Sequence, residues 1–323
     1  TLGVLPFFAK RTMTEPLLNG LIAATYTPMA ADGSLLLDGI EAMTDQLLGE
    51  GVAGFYVCGS TGEGVSLSTS ERKAVTAAFV KSSAGRGPVV VQVGHNSLAE
   101  ACDLARHAQE VGATAVSAAA TSYFKVDSTA MLVQCMGQIA GAAPDLPFYY
   151  YHIPLFTGVD VDLLEFLGRA GEAIPNFAGV KYTTPRIDEF QACCELEKGR
   201  YEMLWGTDEM LLPAWSMGIH GAVGSTYNLA APLYTRLIQA AEAGDLAQAK
   251  RLQMLSIDMI RTIGQFPFHP AMKRVMGSIG IECGPCRLPQ RQLTDQESKK
   301  LLGDLERMGF YDWARSPVTQ PGV

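Results

Sequence analysis

The sequence predicts a (β/α)8 TIM barrel with an appended C-terminal helical region. Short β-prone segments alternate with helix-like segments at spacings of about 30 residues, as in βαβ units. Residues able to carry chemistry follow several of these strands, and β-prone segments stop after residue 231. A chain of 323 residues fits one barrel with additions. We therefore expect an N-terminal tail (1–18), a catalytic barrel (19–230) and a helical extension packed on the barrel (231–323).

The predicted strands are short runs of β-branched, aromatic and small apolar residues. The third is a valine-rich run, which is typical of a strand covered on both faces. The fourth is weak and is assigned mainly from its position. The eight segments are 21–27, 54–58, 89–93, 115–120, 148–153, 178–182, 203–205 and 221–226.

The helix-like segments repeat apolar residues every three or four positions, and several begin at Ser or Thr residues that can cap a helix. In the barrel part they are 38–50, 70–82, 97–111, 128–142, 161–170, 187–198 and 209–217, and in the extension 233–243, 246–263, 270–279 and 295–308. The alternative is a doubly wound open sheet. That fold usually has fewer strands and a glycine-rich first turn, which 21–26 lacks.

The composition indicates a folded globular protein and argues against several kinds of binding partner. With 48% hydrophobic and 18% charged residues, the chain can bury a large core. The net charge of −8 argues against non-specific binding to nucleic acid or anionic membranes. No apolar run approaches the roughly 18 residues of a membrane span, and the N-terminal charges follow their short apolar run, unlike a secretory signal.

Seven cysteines, an odd number scattered through a long chain, indicate reduced thiols and a cytoplasmic protein. Cys283 and Cys286 have the spacing of a redox pair, but they follow a helix-like segment in a Gly/Pro loop rather than opening a helix after a strand. A zinc site would require further ligands at typical spacing, which are absent from the sequence. We therefore interpret this stretch as a loop.

Lys181 lies in the middle of the predicted sixth strand. Alternation places Gly179, Lys181 and Thr183 on one face of that strand and Val180 and Tyr182 on the other. Burial of an ammonium group is costly, so its pKa falls, and a neutral lysine amine can form a Schiff base with a carbonyl compound. The alternative is a structural lysine that extends to the surface or pairs with a carboxylate.

Other polar residues follow strands two and five. Ser60 and Thr61, within a glycine-rich loop, make a plausible cradle for a carboxylate or phosphate, although a plain glycine turn is the alternative. At strand five, alternation separates Tyr151 from His152. A phenol near a lysine-derived cation can relay protons, whereas the alternative for Tyr151 is an aromatic core residue. For His152 we favour a structural role.

Strands seven and eight also end in polar loops. Gly206 is followed by Asp208 and Glu209 at a predicted helix start, where acids fit helix capping as well as substrate binding. Ser225 lies in a second loop of small residues.

Together these motifs resemble the N-acetylneuraminate lyase branch of the dihydrodipicolinate synthase superfamily. The resemblance extends from about residue 21 to about residue 305. It rests on five motifs in the right order: Gly59-Ser-Thr-Gly-Glu63, Tyr151-His-Ile-Pro154, Gly179-Val-Lys-Tyr-Thr183, Gly206-Thr-Asp-Glu209 and Gly224-Ser-Thr-Tyr-Asn228.

The resemblance implies a class I aldolase that needs no cofactor or metal and releases pyruvate and N-acetylmannosamine. Lys181 would form an imine with the C2 ketone of the substrate, and Tyr151 would move protons. Ser60 and Thr61 would hold the substrate carboxylate. Residues at positions that contact the sugar hydroxyls in these lyases are Thr183, Gly206, Asp208, Glu209 and Ser225.

One departure favours the lyase branch. Dihydrodipicolinate synthases have an arginine two residues after the strand-five proline, and here that position is Phe156, which cannot pair with a carboxylate. Tyr123 lies where the synthases place a tyrosine that reaches a neighbouring subunit. The family implies a homotetramer, and a small 2-keto acid is the expected partner.

Three alternatives stay open at this point. The first is an aldolase or dehydratase for another 2-keto-3-deoxy sugar acid, which would not use N-acetylmannosamine as acceptor. The second is a non-catalytic sugar-acid sensor, but such a sensor should lose Lys181 or Tyr151, and both are present. The third is a redox protein that uses Cys283 and Cys286.

Overall fold

The computed structural model describes residues 16–315, and its centre is a closed barrel of eight parallel strands. Neighbouring strands pair in chain order, and β1 pairs with β8 through Ile22 and Val223 to close the barrel. This confirms the predicted fold class. The strands are β1 (Gly20–Ala24), β2 (Gly54–Val57), β3 (Val89–Gln92), β4 (Ala115–Ala119), β5 (Phe148–His152), β6 (Phe177–Tyr182), β7 (Glu202–Trp205) and β8 (Gly221–Gly224).

Helices surround the barrel and continue beyond β8. Those that follow the first seven strands are α1 (Gly39–Gly49), α2 (Thr69–Ser83), α3 (Leu98–Glu110), α4 (Thr129–Ala140), α5 (Pro154–Thr157), α6 (Leu163–Ala173), α7 (Ile187–Glu195) and α8 (Leu211–Trp215). Those that follow β8 are α9 (Tyr227–Glu242), α10 (Leu246–Ile263), α11 (Phe268–Ser278), α12 (Asp295–Arg307) and α13 (Phe310–Trp313).

Side-chain caps fix several helix starts. At α2 the Ser68 hydroxyl accepts a hydrogen bond from the Glu71 N–H, and the Glu71 carboxylate accepts one from the Ser68 N–H. This reciprocal box satisfies two N–H groups that the helix itself leaves unpaired. Ser97 and Ser128 each accept one backbone N–H at the starts of α3 and α4, so the serines at these starts act as the sequence predicts.

Several helices differ from their predicted bounds. The short α5 follows β5 directly and was not predicted. The segment 209–217 divides into a 3₁₀ turn, Asp208–Met210, and α8, because Met210 leaves helical geometry. Helix α9 begins at Tyr227 instead of residue 233, with a kink at Ala230 two residues before Pro232, which lacks an N–H. The predicted boundary at residue 230 therefore falls within this helix.

The core has two layers that follow the alternation of each strand. Inside the barrel lie the side chains of Ile22, Tyr56, Val90, Tyr149, Tyr151, Leu204 and Val223. The larger layer packs between strands and helices and includes Phe55, Phe148, Tyr150, Val180 and Tyr182. Adjacent residues of one strand thus belong to different layers, which decides which side chains can reach a site inside the barrel.

The N-terminal end of the barrel is covered by the chain that precedes β1. Leu18 is buried in the interior layer, and the Leu17 N–H donates to Glu202 at 2.5 Å. The predicted tail of residues 1–18 thus overlaps packed structure at these two residues, while positions 1–15 lie outside the described residues. Within 16–315, no helix has both the length and the apolar character needed to cross a membrane.

Candidate active site

Lys181 lies in β6 with its side chain inside the barrel. It is paired in register with Tyr151 of β5, and its Nζ lies 3.9 Å from the centroid of the Tyr151 ring. On its other side, Nζ lies 4.0 Å from the centroid of the Tyr56 ring. The amine is therefore buried between two aromatic rings, on the opposite face of β6 from Val180 and Tyr182, as alternation predicts.

The surroundings of Lys181 lower its pKa. Burial lowers the pKa of the amine, because desolvation penalises the ammonium ion. Tyr151 and the carboxylate of Asp208 act in the opposite direction and reduce this shift of the pKa. No carboxylate in the described part of the chain comes within ion-pair distance of Nζ. The structure thus gives Lys181 the reduced pKa expected of an amine nucleophile.

Tyr151 and His152 lie on opposite faces of β5, as predicted. Tyr151 packs inside the barrel, whereas His152 is fully buried in the outer layer and stacks on Tyr182, with ring centroids 5.5 Å apart. Burial lowers the pKa of His152 to about 4, so the imidazole stays neutral at physiological pH. His152 does not reach Lys181, which agrees with the structural role favoured from the sequence.

The loop after β2 begins in contact with the Tyr56 ring. A Cβ on Gly59 would lie 2.8 Å from Cε1 of Tyr56, so only glycine lets the chain turn this close to the ring. A Cβ on Gly64 would lie 1.9 Å from the Cys58 carbonyl oxygen. This compact loop carries the partly exposed Ser60 and the buried Thr61.

The ends of β6, β7 and β8 are packed closely together. A Cβ on Gly206 would lie 2.1 Å from Oγ1 of Thr183, and a Cβ on Gly224 would lie 1.9 Å from Oδ1 of Asp208. Both polar atoms are buried without a hydrogen-bond partner in the described structure. The two glycines therefore allow polar atoms of neighbouring strand ends to come together.

Asp208 is buried, and its carboxylate is hydrogen-bonded through Oδ2. Its Oδ2 accepts hydrogen bonds from the N–H and the hydroxyl of Thr226 at 2.9 and 2.5 Å. Burial raises the pKa of Asp208 to about 6, although the hydrogen bonds from Thr226 oppose this shift. The Thr226 hydroxyl is 2.6 Å from that of Tyr234, which is 2.8 Å from Ser256. Glu209 is exposed and Ser225 is partly exposed.

This arrangement supplies an amine nucleophile, an adjacent phenol and several hydroxyl and backbone donors. Such a set suits attack on a carbonyl followed by proton transfer. Among residues 16–315, no group of three or more His, Cys, Asp or Glu side chains is arranged to hold a metal ion.

Sequence reasoning missed Tyr56 and the residues that hold Asp208. Tyr56 shares the barrel interior with Tyr151, and its position in the alternating β2 strand was the available signal. Tyr234 and Ser256 come from α9 and α10, and no local pattern in the sequence joins them to Asp208.

The pair Cys283 and Cys286 lies away from Lys181, in the loop after α11. Both thiols are free and buried, and burial raises the pKa of each to about 12. High thiol pKa values leave little reactive thiolate at neutral pH. These properties fit the loop interpretation better than a redox pair.

The sequence is similar to one family of known proteins. The profile of the dihydrodipicolinate synthetase family matches residues 17–308. N-acetylneuraminate lyase A of Xenopus laevis is 40% identical over 276 residues, which cover 84% of this chain and 90% of that protein. N-acetylneuraminate lyase of Gallus gallus is 39% identical over 300 residues, which cover 91% and 97% of the two chains.

Solved structures give the same result. N-acetylneuraminate lyase of Proteus mirabilis has a TM-score of 0.88 at 38% identity and covers 91% of this chain and 99% of its own. The lyase of Aliivibrio salmonicida has a TM-score of 0.89 at 34% identity and covers 92% and 98%. The similarity therefore includes the barrel and most of the helical extension.

Proposed function

Because this chain belongs to the dihydrodipicolinate synthetase family, we propose that it is a carbon–carbon lyase of the class I aldolase type. It reversibly cleaves N-acetylneuraminate to pyruvate and N-acetylmannosamine. One observation carries the proposal: the buried Lys181 amine contacts the Tyr151 ring on the neighbouring strand. The similar proteins named above as N-acetylneuraminate lyases support the choice of substrate.

In the proposed reaction, the neutral Lys181 amine attacks the C2 ketone of the open-chain sugar acid. Loss of water leaves a cationic imine. The electron pair of the C3–C4 bond then moves toward the imine nitrogen and forms an enamine, while the C4 hydroxyl becomes the aldehyde of N-acetylmannosamine. Tyr151 takes the proton from that hydroxyl and returns one to C3. Addition of water to the resulting imine releases pyruvate and regenerates the amine.

The strand-end residues bind the rest of the substrate in this proposal. Ser60 and Thr61 hold the carboxylate, since their loop begins against the Tyr56 ring beside Lys181. Contacts to the sugar hydroxyls are assigned to Thr183, Gly206, Asp208, Glu209 and Ser225. The unpaired Oδ1 of Asp208 and Oγ1 of Thr183 support this assignment, because a bound polyol would satisfy both.

A related aldolase or dehydratase for another 2-keto-3-deoxy sugar acid is the second candidate. It would use the same Lys181 chemistry with a different acceptor. A dihydrodipicolinate synthase is less well supported, because Phe156 occupies the position of the carboxylate-binding arginine. The Phe156 side chain is largely exposed and offers no charge to a second carboxylate.

The proposal includes a cytoplasmic homotetramer that needs no cofactor beyond the Lys181 imine. Tyr123 and Phe124 support assembly, because both are exposed and pack against each other with ring centroids 5.0 Å apart. Adjacent exposed aromatic side chains offer apolar surface that a neighbouring subunit could cover. The seven free cysteines support a reducing compartment.

Reductive trapping tests the proposed function. The protein is mixed with N-acetylneuraminate and borohydride, without added pyruvate, and intact and peptide masses are measured. We expect a pyruvate-sized adduct on the Lys181 peptide and none in Lys181→Ala. If Lys181 is labelled only when pyruvate is supplied, the Schiff-base chemistry is supported and N-acetylneuraminate is rejected as the substrate. Failure of both conditions to label Lys181 would reject the proposal.

A further inference from the structure

Tyr56 contacts the reacting nitrogen without belonging to any motif that marks the site. Nζ of Lys181 lies 4.0 Å from the centroid of the Tyr56 ring and 3.9 Å from that of Tyr151. The two rings meet edge to face, with centroids 5.8 Å apart and an interplanar angle of 76°. Nζ therefore lies against aromatic rings from two strands.

The Tyr56 ring is held in this position. Its hydroxyl donates to Oγ of Ser117 in β4 at 3.0 Å, and the whole side chain is buried. Gly59 lies against the ring edge. Because the hydroxyl is engaged and the ring is packed, Tyr56 cannot turn away from Lys181 without breaking both contacts.

The chemistry of Tyr56 differs from that of a proton donor or acceptor. Burial raises the pKa of its phenol well above the usual value, and the neighbouring Tyr151 raises it further. The phenol therefore stays neutral, with its hydrogen bonded to Ser117. A neutral ring keeps the negative face that attracts a cation.

Few charged or titratable groups affect the charge at Nζ of Lys181. Those that act on Lys181 are Tyr151 of β5 and Asp208 after β7. Asp208 is not within ion-pair distance of Nζ, and two of its hydrogen bonds go to Thr226. The positive charge of an imine at Nζ would thus lie mainly against aromatic faces.

We propose that the Tyr56 ring, together with that of Tyr151, stabilises the cationic imine formed on Lys181, and that Tyr56 is a positioning and electrostatic residue of the reaction. This inference rests on the proposed function. When the amine adds to the ketone and water leaves, the nitrogen gains a positive charge. The charge disappears in the enamine and returns when C3 is protonated. The ring therefore favours imine formation more than the bond cleavage that follows it.

The test compares Tyr56→Leu with Tyr56→Phe. Pyruvate is the probe, and the rate of borohydride trapping on Lys181 is measured as a function of pH. We expect Tyr56→Leu to slow trapping about tenfold, and Tyr56→Phe to stay within about threefold of wild type, because phenylalanine keeps the ring. Loss of the ring also lowers the pKa of the Lys181 amine, so the rising limb of the pH profile moves to lower pH in Tyr56→Leu only.

Fluorinated phenylalanines at position 56 provide a second test that preserves shape. Fluorine weakens the negative face of the ring, so trapping should slow stepwise with each added fluorine. Thermal unfolding checks that the variants fold. Equal losses in Tyr56→Phe and Tyr56→Leu, or no dependence on fluorination, would overturn the inference while wild-type trapping upholds the proposed function. Absence of trapping in wild type would instead reject the proposed function, and the inference with it.

Discussion

Lys181 and Lys273 are both buried, with 4% of each residue exposed, yet their surroundings differ. Lys273 lies in α11, where Nζ is 2.7 Å from Oε1 of Glu63 and donates to the carbonyl oxygens of Thr27 and Pro285 at 3.0 and 2.9 Å. Lys181 has no such carboxylate and lies against aromatic rings. A buried ammonium with a full set of oxygen partners stabilises structure, whereas one without them can lose its proton and react.

The partners of Lys273 explain how the helical extension supports the site. Glu63 belongs to the same loop as Ser60 and Thr61, and its Oε2 accepts a hydrogen bond from the Arg287 N–H at 2.8 Å. The Arg287 guanidinium reaches Glu71 at the start of α2. The extension thus holds the loop that we assign to the substrate carboxylate.

Loss of the Lys181 amine should have the largest effect. We expect Lys181→Ala to lower kcat by at least about a thousandfold, because the proposed imine forms on this amine. The measurement is the rate of pyruvate release from N-acetylneuraminate, with circular dichroism to check the fold. Near-normal kcat in this variant would contradict the assignment of Lys181 as the reactive lysine and Lys273 as the structural one.

Removal of the Tyr151 hydroxyl should have the next largest effect. Tyr151→Phe keeps the ring beside Lys181 and removes the proposed proton relay, so kcat should fall by about 10²–10³-fold with little change in KM. Steady-state kinetics and pyruvate trapping provide the measurements. Trapping should persist, since the amine remains, and a rise in KM alone would argue against proton transfer by Tyr151.

Replacement of each lysine by methionine should show which lysine contributes to the free energy of unfolding. Lys273→Met leaves the Glu63 carboxylate buried without its cation, which should cost about 3–5 kcal/mol of unfolding free energy. The matched variant Lys181→Met removes no ion pair, and we expect a change within about 1.5 kcal/mol. Urea unfolding measures both.

Addition of Glu63→Gln to Lys273→Met removes the unpaired charge and should restore part of the lost stability. If the two methionine variants were destabilised equally, the ion pair would not distinguish the two sites.

The smallest effect concerns pH and Asp208, whose carboxylate influences Lys181 without forming an ion pair. Its pKa is raised to about 6 by burial. As pH falls through 6, Asp208 gains a proton and binds sugar hydroxyls less well as an acceptor, so kcat/KM should decline. Asp208→Asn should remove this limb of the pH profile, while Glu209→Gln, which changes an exposed side chain, should keep it.

The raised pKa of Asp208 also affects stability. Here a fall in pH has the opposite effect, because it stabilises the folded state. A carboxyl group with a raised folded pKa binds its proton more tightly in the native state than in the unfolded chain. Its contribution to the unfolding free energy therefore increases as pH falls from 7 through 6, and this increase should disappear in Asp208→Asn. Unfolding midpoints at pH 5 and 7 measure it.

Local sequence pattern determined the barrel fold. It also determined which side chains share a face in the strands that carry site residues. A repeat of two residues places Lys181 and Tyr151 inside the barrel and His152 outside, and this repeat is visible in the sequence itself. The strand-end loops at Gly59 and Gly206 were likewise recognised from residues close together in the chain. Periodicity did not predict the break before α8 or the early start of α9, because both depend on single backbone positions.

Tertiary structure alone decided which residues meet across the fold. Closure of the barrel places the Tyr56 ring on Lys181, and docking of α11 places Lys273 on Glu63. In the sequence, Lys181 stands between Val180 and Tyr182 and Lys273 between Met272 and Arg274, and these neighbours do not show which lysine pairs with a carboxylate. Whether a buried amine is paired or reactive depends on groups from distant segments, because those groups determine its desolvation and its charge partners.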